Sequence, residues 1–401
     1  MTRVLFVDDE VPVLESLRAR LHRMRGRFEM EFVEGGTQAL EAFERKPFDI
    51  LVTDIRMPGM DGAQLMHAVC ERWPQTVRIA LSGFAELKQS MRLVPLAHQF
   101  LSKPCEPQHL EGVIQRCLSL RELLSSTELR AAVGRFQRLP TLPGTYAKLE
   151  PVLEREDSSA QEVAQVIAGD SVIVAKVLQL VNSAFFRLPR RVTNVAQAVA
   201  YLGFKSVRNL VLSAEVFASW SRESRGSVVD FERLQGHVHS VAAVSHSLTA
   251  FMPIADDSML AGLLHDIGYW VLAQQCPELL EAALDLAIKR GVPMSQAERE
   301  LIGASHAEIG AYLLGIWGLP YSIVEAVANH HDPERVAQSE LDVLAALMLA
   351  STLAGSNEVG AFKRSPPPER TVEPDYLESV AAPFDWNEAR RRAVEAMESG
   401  E

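Results

Sequence analysis

Two stretches of this sequence crowd metal-ligand residue types together. "GLLHDIGYW" (262–270) sets His265 beside Asp266 in an apolar run, and "ANHHDP" (328–333) sets His330 beside His331 and Asp332. His237, His239 and His306 fall in other helix-period stretches. Adjacent residues on a helix point about 100° apart, so a His–Asp pair can lean toward one ion between helices. Imidazole and carboxylate together suit Fe, Mn, Zn or Ni and do not choose among them. An ion held there would make hydroxide near neutral pH, the chemistry that cleaves phosphate esters. The plainer alternative is a set of histidines hydrogen-bonded between helices and inert.

A second set lies nearer the N-terminus, where each member ends an apolar run. Asp8 and Asp9 end "RVLFVDD" (3–9), Asp54 ends "FDILVTD" (48–54), Ser82 ends "VRIALS" (77–82), and Lys103 follows "HQFLS" (98–102). Three carboxylates in one crevice repel one another unless a divalent cation neutralises them, and Mg²⁺ suits oxygen ligands while keeping open positions. Asp54 can then attack phosphorus, with Lys103 as a mobile positive charge and Ser82 as a hydrogen-bond partner for the new phosphate.

The elements around each set are legible. Apolar runs at 3–8, 29–33, 48–54, 77–83 and 98–102 alternate with helix-period stretches at 13–24, 37–45, 62–73 and 85–94 and from Pro107 onward. Near-continuous apolar strands alternating with helices predict a doubly wound five-stranded parallel sheet, with ligands at the carboxyl ends of its strands. Residues 123–138 are charged and helix-compatible, and are expected to extend the last helix as a connector. "LPTLPG" (139–144) breaks the pattern. From there to about 360 no alternating strand is evident and an all-α domain of ten or more helices is expected. Residues 361–401 read as a Pro-rich segment and a C-terminal helix.

The chain has 401 residues, long enough for two or three domains. Its formal net charge of −12 argues against a broad nucleic-acid footprint, which needs concentrated Lys and Arg. A small basic patch, "RLPRRV" (187–192) with Lys205 and Arg208, could meet the phosphates of a nucleotide, though a solvated helix end explains the same charges. Cys70, Cys105, Cys117 and Cys276 show no C-x-x-C spacing and read as free thiols of a reducing compartment. With no signal-peptide run and no membrane-length apolar run, a cytoplasmic location without membrane contact is expected. His22, His67, His98 and His109 read as surface positions.

Residues 1–122 resemble the receiver domain of two-component response regulators, through "FVDDE", "DIRMPGMDG", "ALSG" and "FLSKP". The resemblance implies Asp54 as phospho-acceptor and an acidic pair in Asp8 and Asp9. It implies Mg²⁺ bound by Asp9, Asp54 and the backbone carbonyl of Arg56, and a phosphate-sensing set of Ser82, Lys103 and the rotating aromatic Phe100. A cis Lys103–Pro104 bond is implied too. Residues 139–354 resemble the HDOD domain, a relative of the HD phosphohydrolases, through "LPTLPG", "VLQLVNSAFF", "AVAYLGF", "GHVHSVA", "GLLHDIG", "SHAEIGAYLLGIWGLP" and "AVANHHDP". Mapped onto HD enzymes, the ligand-type positions are His239, His265, Asp266, His306, His330 and His331, leaving His237, His246 and Asp332 as bystanders. Against hydrolysis stand Tyr269 where the branch that cleaves cyclic di-GMP has Lys, the absence of its "GYP" tripeptide, and Ser351 nearest the expected late Asp.

The expected function is that of a bacterial response regulator. A sensor histidine kinase phosphorylates Asp54, and the face of the fourth helix (about 85–94) and the strand ending before Lys103 repacks. The output domain then engages a downstream protein or nucleotide, as a monomer or a homodimer. The alternative is a phosphorylation-gated, metal-dependent phosphohydrolase of nucleotides or cyclic dinucleotides.

Overall fold

The structure is a computed structural model. It describes residues 2–22, 26–82, 96–135, 145–182, 191–207, 227–336, 341–354 and 362–367, apart from 104, 106, 121–122, 125, 156, 205–206 and 365, together with Arg391. The described chain forms two compact units, one dominated by Met1–Arg138 and one drawn mainly from the rest.

The N-terminal unit is built on five parallel strands, β1 (Thr2–Val7), β2 (Phe28–Val33), β3 (Ile50–Asp54), β4 (Val77–Ser82) and β5 (Gln99–Ser102), in the order β2-β1-β3-β4-β5. Val4, Leu5, Phe6, Ile50, Leu51, Val52, Ile79 and Ala80 are fully shielded from solvent, as strands covered on both faces should be. Each buried Val, Leu, Ile or Phe among them contributes roughly 1.5–3 kcal/mol by leaving water. Helices α1 (Val11–Arg20), α2 (Gly36–Arg45), α3 (Gly62–Arg72) and α4 (Pro107–Ser119) supply the cover.

Register fixes what stands beside what. Val7 pairs with Thr53 and Asp54 pairs with Leu81, so Asp8 and Asp54 leave neighbouring strands at the same edge. The turn after Asp54 is tight. Gly59 sits at φ +78°, and a Cβ on Gly62 would come within 2.2 Å of the Asp54 carbonyl oxygen. Asp61 and Gln64 then start α3 with a reciprocal capping box.

Two expectations fail in this unit. The connector does not extend α4, which ends at Ser119, and a separate helix α5 (Thr127–Arg135) follows. It turns its apolar side inward, burying Leu129 and Val133. Its Gly134 lies so close to the turn before β4 that a Cβ would meet the Pro74 carbonyl oxygen at 1.8 Å. Nor is His98 a surface residue. It is buried against Arg78, a fully shielded arginine whose guanidinium donates to the carbonyls of Leu96 (2.7 Å), Thr76 (3.1 Å) and Gly134 (2.9 Å).

The second unit is helical, as its sequence predicts. Its described helices are α6 (Thr145–Glu154), α7 (Ala160–Ala168), α8 (Ser171–Val181), α9 (Val195–Leu202), α10 (Phe231–Thr249), α11 (Ala255–Leu264), α12 (Ile267–Gln275), α13 (Pro277–Arg290), α14 (Met294–Leu301), α15 (His306–Ile316), α16 (Tyr321–Asn329) and α17 (Val343–Ala354). Residues 139–144, most of the 187–192 basic patch with Lys205 and Arg208, and nearly all of the Pro-rich segment and C-terminal helix lie outside the described residues. Among the described residues no helix is long and apolar enough to cross a membrane.

Glycines decide how closely the helices of this unit cross. A Cβ on Gly262 would stand 2.5 Å from the Ala242 Cα, so α11 lies against α10 backbone to backbone. A Cβ on Gly268 would stand 1.9 Å from the His306 carbonyl oxygen, which brings α12 equally close to the start of α15. These are the two glycines of "GLLHDIG", and they flank His265 and Asp266.

Candidate functional sites

At the carboxyl edge of the sheet, Asp8 is fully buried, Asp54 nearly so, and Asp9 exposed. Oxygens of the three carboxylates lie within 4.8 Å of one another. Lys103, just past β5, reaches between two of them, its Nζ 2.6 Å from Asp8 Oδ2 and 2.9 Å from Asp54 Oδ2. The remaining oxygens are held by the backbone: Glu10 N–H donates to Asp8 Oδ1 (3.0 Å) and Ile55 N–H to Asp54 Oδ1 (2.8 Å). Burial raises the pKa of the Asp54 carboxyl, against the opposing pull of Lys103. Lys103 is itself shifted up, because its hydrogen bonds to Asp8 and Asp54 outweigh its own burial. The acidic set fits a hard divalent cation, whose charge would take the part the ammonium now plays.

Phe100 is buried in β5, and Arg56 stands exposed just past β3. Ser82 ends β4, where its backbone pairs with Ser102. Its side chain, residues 83–95 and Pro104, hence the Lys103–Pro104 bond, lie outside the described residues.

The second site is a buried knot of imidazoles around one carboxylate. Asp266, at the join of α11 and α12, has His265 Nε2 at 3.2 Å, His306 Nε2 at 3.5 Å, and His237 Nε2 and His330 Nε2 at 3.8 Å. Neither of its oxygens has a hydrogen bond of good geometry, although the residue is 1% exposed. His331 Nε2 comes within 2.8 Å of His306 Nε2. Ligand atoms of His237, His265 and Asp266 lie within 4.8 Å of one another, as do those of His306, His330 and His331.

Three of these rings are oriented alike. Nδ1 of His265 faces the Gly262 carbonyl at 2.8 Å, Nδ1 of His330 faces the Val327 carbonyl at 2.7 Å, and Nδ1 of His306 faces Glu298 Oε2 at 2.7 Å. For His265 and His330 a carbonyl acceptor at Nδ1 favours the proton there and turns Nε2 toward Asp266, the arrangement metal-ligating histidines show, and His306 presents its Nε2 to the same carboxylate. Burial pushes His237 down to about 4, and burial with neighbouring histidines holds His330 and His331 well below the usual imidazole range. Burial works against ionisation of Asp266 too, but the imidazoles of His265 and His306 more than offset it and hold its carboxyl well below the ordinary range. His306 is the exception among the rings. Burial opposes its charge, but Glu298 and Asp266 flank it and raise it well above the usual value.

The helix phase corrects the predicted ligand set at one position. His239 does not reach the group; its Nε2 is 2.6 Å from the Ala168 carbonyl. His237, read from sequence as a bystander, takes the place instead. Residues two apart on a helix face nearly opposite ways, and Leu234, Val238 and Val241 mark the buried face that includes His237. The signal was therefore present in the apolar spacing. Glu298 was missed as well, hidden in the charged run "AERE"; the i, i+4, i+8 series Met294, Glu298, Ile302 puts it on the inward side of α14. His246 is exposed, and Asp332 pairs with Arg299 at 2.5 Å, so neither joins the group.

Comparison with known proteins agrees with this division. The response regulator receiver domain family matches residues 4–115, and the HDOD domain family matches residues 139–333. An uncharacterised protein of Treponema pallidum is 25% identical over 245 residues, 60% of this chain and 45% of that one. The hydrogenase transcriptional regulatory protein HoxA of Cupriavidus necator is 32% identical over 122 residues, 30% of this chain and 25% of that one. This chain thus spans less than half the length of either relative. The MmoQ response regulator of Methylococcus capsulatus has 24% sequence identity, with a TM-score of 0.47, over 65% of this chain and 97% of that one.

Proposed function

We propose that this chain, which joins a response regulator receiver domain to an HDOD domain, is a two-component response regulator that accepts a phosphoryl group on Asp54. The observation that carries this is the ion-paired set Asp8, Asp54 and Lys103 at one edge of the parallel sheet. An Asp54 carboxylate oxygen attacks phosphorus on a sensor kinase's phosphohistidine. A P–O bond forms, the P–N bond breaks, and the histidine nitrogen leaves with its electron pair. Asp8, Asp9, Asp54 and the Arg56 carbonyl are the groups that would hold Mg²⁺, whose charge offsets that of the phosphoryl oxygens. Lys103 follows the charge from the carboxylate to the phosphoryl group, and Ser82 and the buried Phe100 adjust beside it. Such a local charge event biases a two-state element, here the route to the HDOD domain.

The test is exposure to Mg²⁺ and acetyl phosphate, read by mass spectrometry and a phosphate-affinity gel. One hydroxylamine-labile phosphoryl group per chain is expected, and none with Asp54→Asn. Undiminished labelling of Asp54→Asn would overturn the assignment.

A second reading concerns the HDOD domain. The Nε2 atoms converging on Asp266, whose oxygens are shielded from water, favour a bound Fe, Mn, Zn or Ni ion. With Ser351 adding no carboxylate and Tyr269 in place of Lys, the group supports ligand binding over hydrolysis. Elemental analysis of untagged protein should find at least one equivalent of metal, lost in His265→Ala/Asp266→Ala. A metal-free but folded wild type would sink this reading.

A further inference from the structure

We infer that Glu298 is a positioning residue for the His/Asp group: it fixes the proton of His306 on Nδ1 and so turns Nε2 toward the ion. This rests on the reading that the group takes a divalent cation. Glu298 lies on α14 with no solvent exposure. Its Oε2 accepts from His306 twice, from the backbone N–H at 2.8 Å and from ring Nδ1 at 2.7 Å. One carboxylate oxygen thereby grips both the main chain and the ring of the same residue. On the ring's far edge, Nε2 meets His331 Nε2 at 2.8 Å and Asp266 Oδ1 at 3.5 Å. Across its face lies Tyr269, stacked with centroids 4.0 Å apart and planes 18° from parallel. The ring is held on an edge, on a face and at its backbone, with Nε2 turned toward Asp266 and His331.

Glu298 does more than hold the start of α15, because the same oxygen also takes the ring Nδ1 of His306. The start of α15 has a capping box of its own, in which Glu308 Oε2 accepts from Ser305 N–H at 2.8 Å and the Ser305 hydroxyl accepts from Glu308 N–H at 3.4 Å, so Glu298 adds only the His306 N–H to it. A fully buried carboxylate is costly unless its charge is used. His265 and His330 manage with neutral carbonyls at Nδ1, so His306 is the ring given a full negative charge behind it. A carboxylate there raises the basicity of the opposite nitrogen as well as fixing its direction, and losing such a partner typically weakens metal binding about 10–100-fold.

The experiment is calorimetric titration of the metal-free full chain with Zn²⁺, comparing wild type, Glu298→Gln and His265→Ala/Asp266→Ala, the last defining zinc taken up elsewhere. Alongside it, ¹⁵N NMR of labelled histidines, with His306→Asn for assignment, reads the ring protons of His306 in metal-free and zinc-loaded protein. Wild type should keep the proton on Nδ1 in both states. Glu298→Gln should bind zinc about 10–100-fold more weakly and show a mixture of ring tautomers. Equal zinc affinity with an unchanged His306 tautomer would overturn the role of Glu298 while leaving the metal reading intact. A wild type that takes up no zinc above the double variant would overturn the metal reading and this inference together. If Glu298→Gln does not fold, the wild-type spectrum decides: a bare Nδ1 on His306 overturns the inference, and an Nδ1–H under zinc supports it.

Discussion

Both units bury carboxylates in their candidate sites, and they balance them differently. In the receiver domain the balancing charge is built in. Lys103 spans Asp8 and Asp54, stays ionised because of them, and keeps 20% of its side chain in contact with solvent. In the HDOD domain Asp266 is ringed by imidazoles, and His306, held between Asp266 and Glu298, is driven toward its charged form. The lesson is that a permanent ammonium makes a site that is stable when empty and can hand its charge to an incoming phosphate. An imidazole shell makes a site whose charge depends on protons or metal.

The largest effect that would sharpen this contrast comes from Lys103→Met. Two buried carboxylates then face each other without an ammonium, which should cost the receiver about 2–4 kcal/mol, below the full range for a broken buried pair because Lys103 is partly solvated. Mg²⁺ should restore more stability to this variant than to wild type, since it supplies the missing charge. Calorimetric unfolding with and without Mg²⁺ checks this, and a variant whose transition does not respond to Mg²⁺ would break the comparison.

A smaller effect separates the units by pH. His237 is held near 4, and His330 and His331 are also depressed, whereas in the unfolded chain each titrates near 6.5. Their contribution is full above about pH 6.5 and is lost as pH falls toward the folded values. His306 runs the other way, with a contribution full below about 6.5 and lost as pH rises through its raised value. Between pH 7 and 5 the metal-free HDOD domain should therefore lose stability, on the order of 1–2 kcal/mol for each depressed histidine. Urea unfolding across that range should show the loss, and His237→Asn should flatten it. A flat wild-type profile would mean that the imidazole shell is not held neutral.

The receiver's site was legible in the sequence because a parallel sheet converts sequence order directly into place. A strand's last residue stands at its carboxyl edge, so Asp8, Asp54 and the approach to Lys103 could be located from the apolar runs alone. The helical site was only partly legible. "HDIG" and "HH" announced themselves, but which histidine of "HVH" points inward depends on helix phase, and there the expected His239 gives way to His237. Glu298 had no local sign beyond its spacing from Met294 and Ile302. Its partner His306 is eight residues away, across a turn that residue types alone do not orient. The separate connector helix was misread for a similar reason, since a charged amphipathic stretch says nothing of where a helix stops.

That connector helix bears on where the receiver ends as a folding unit. The family match stops at residue 115, yet Arg78 in β4 spends a hydrogen bond on the carbonyl of Gly134. Cutting the chain short of Gly134 would remove one of the carbonyls that hold the Arg78 guanidinium, together with the buried side chains of Leu129 and Val133. The receiver is, in this sense, longer than its family: anyone isolating it for phosphorylation or crystal growth should carry the chain through Arg135, and a shorter piece would report on a damaged β4, the strand that ends at Ser82.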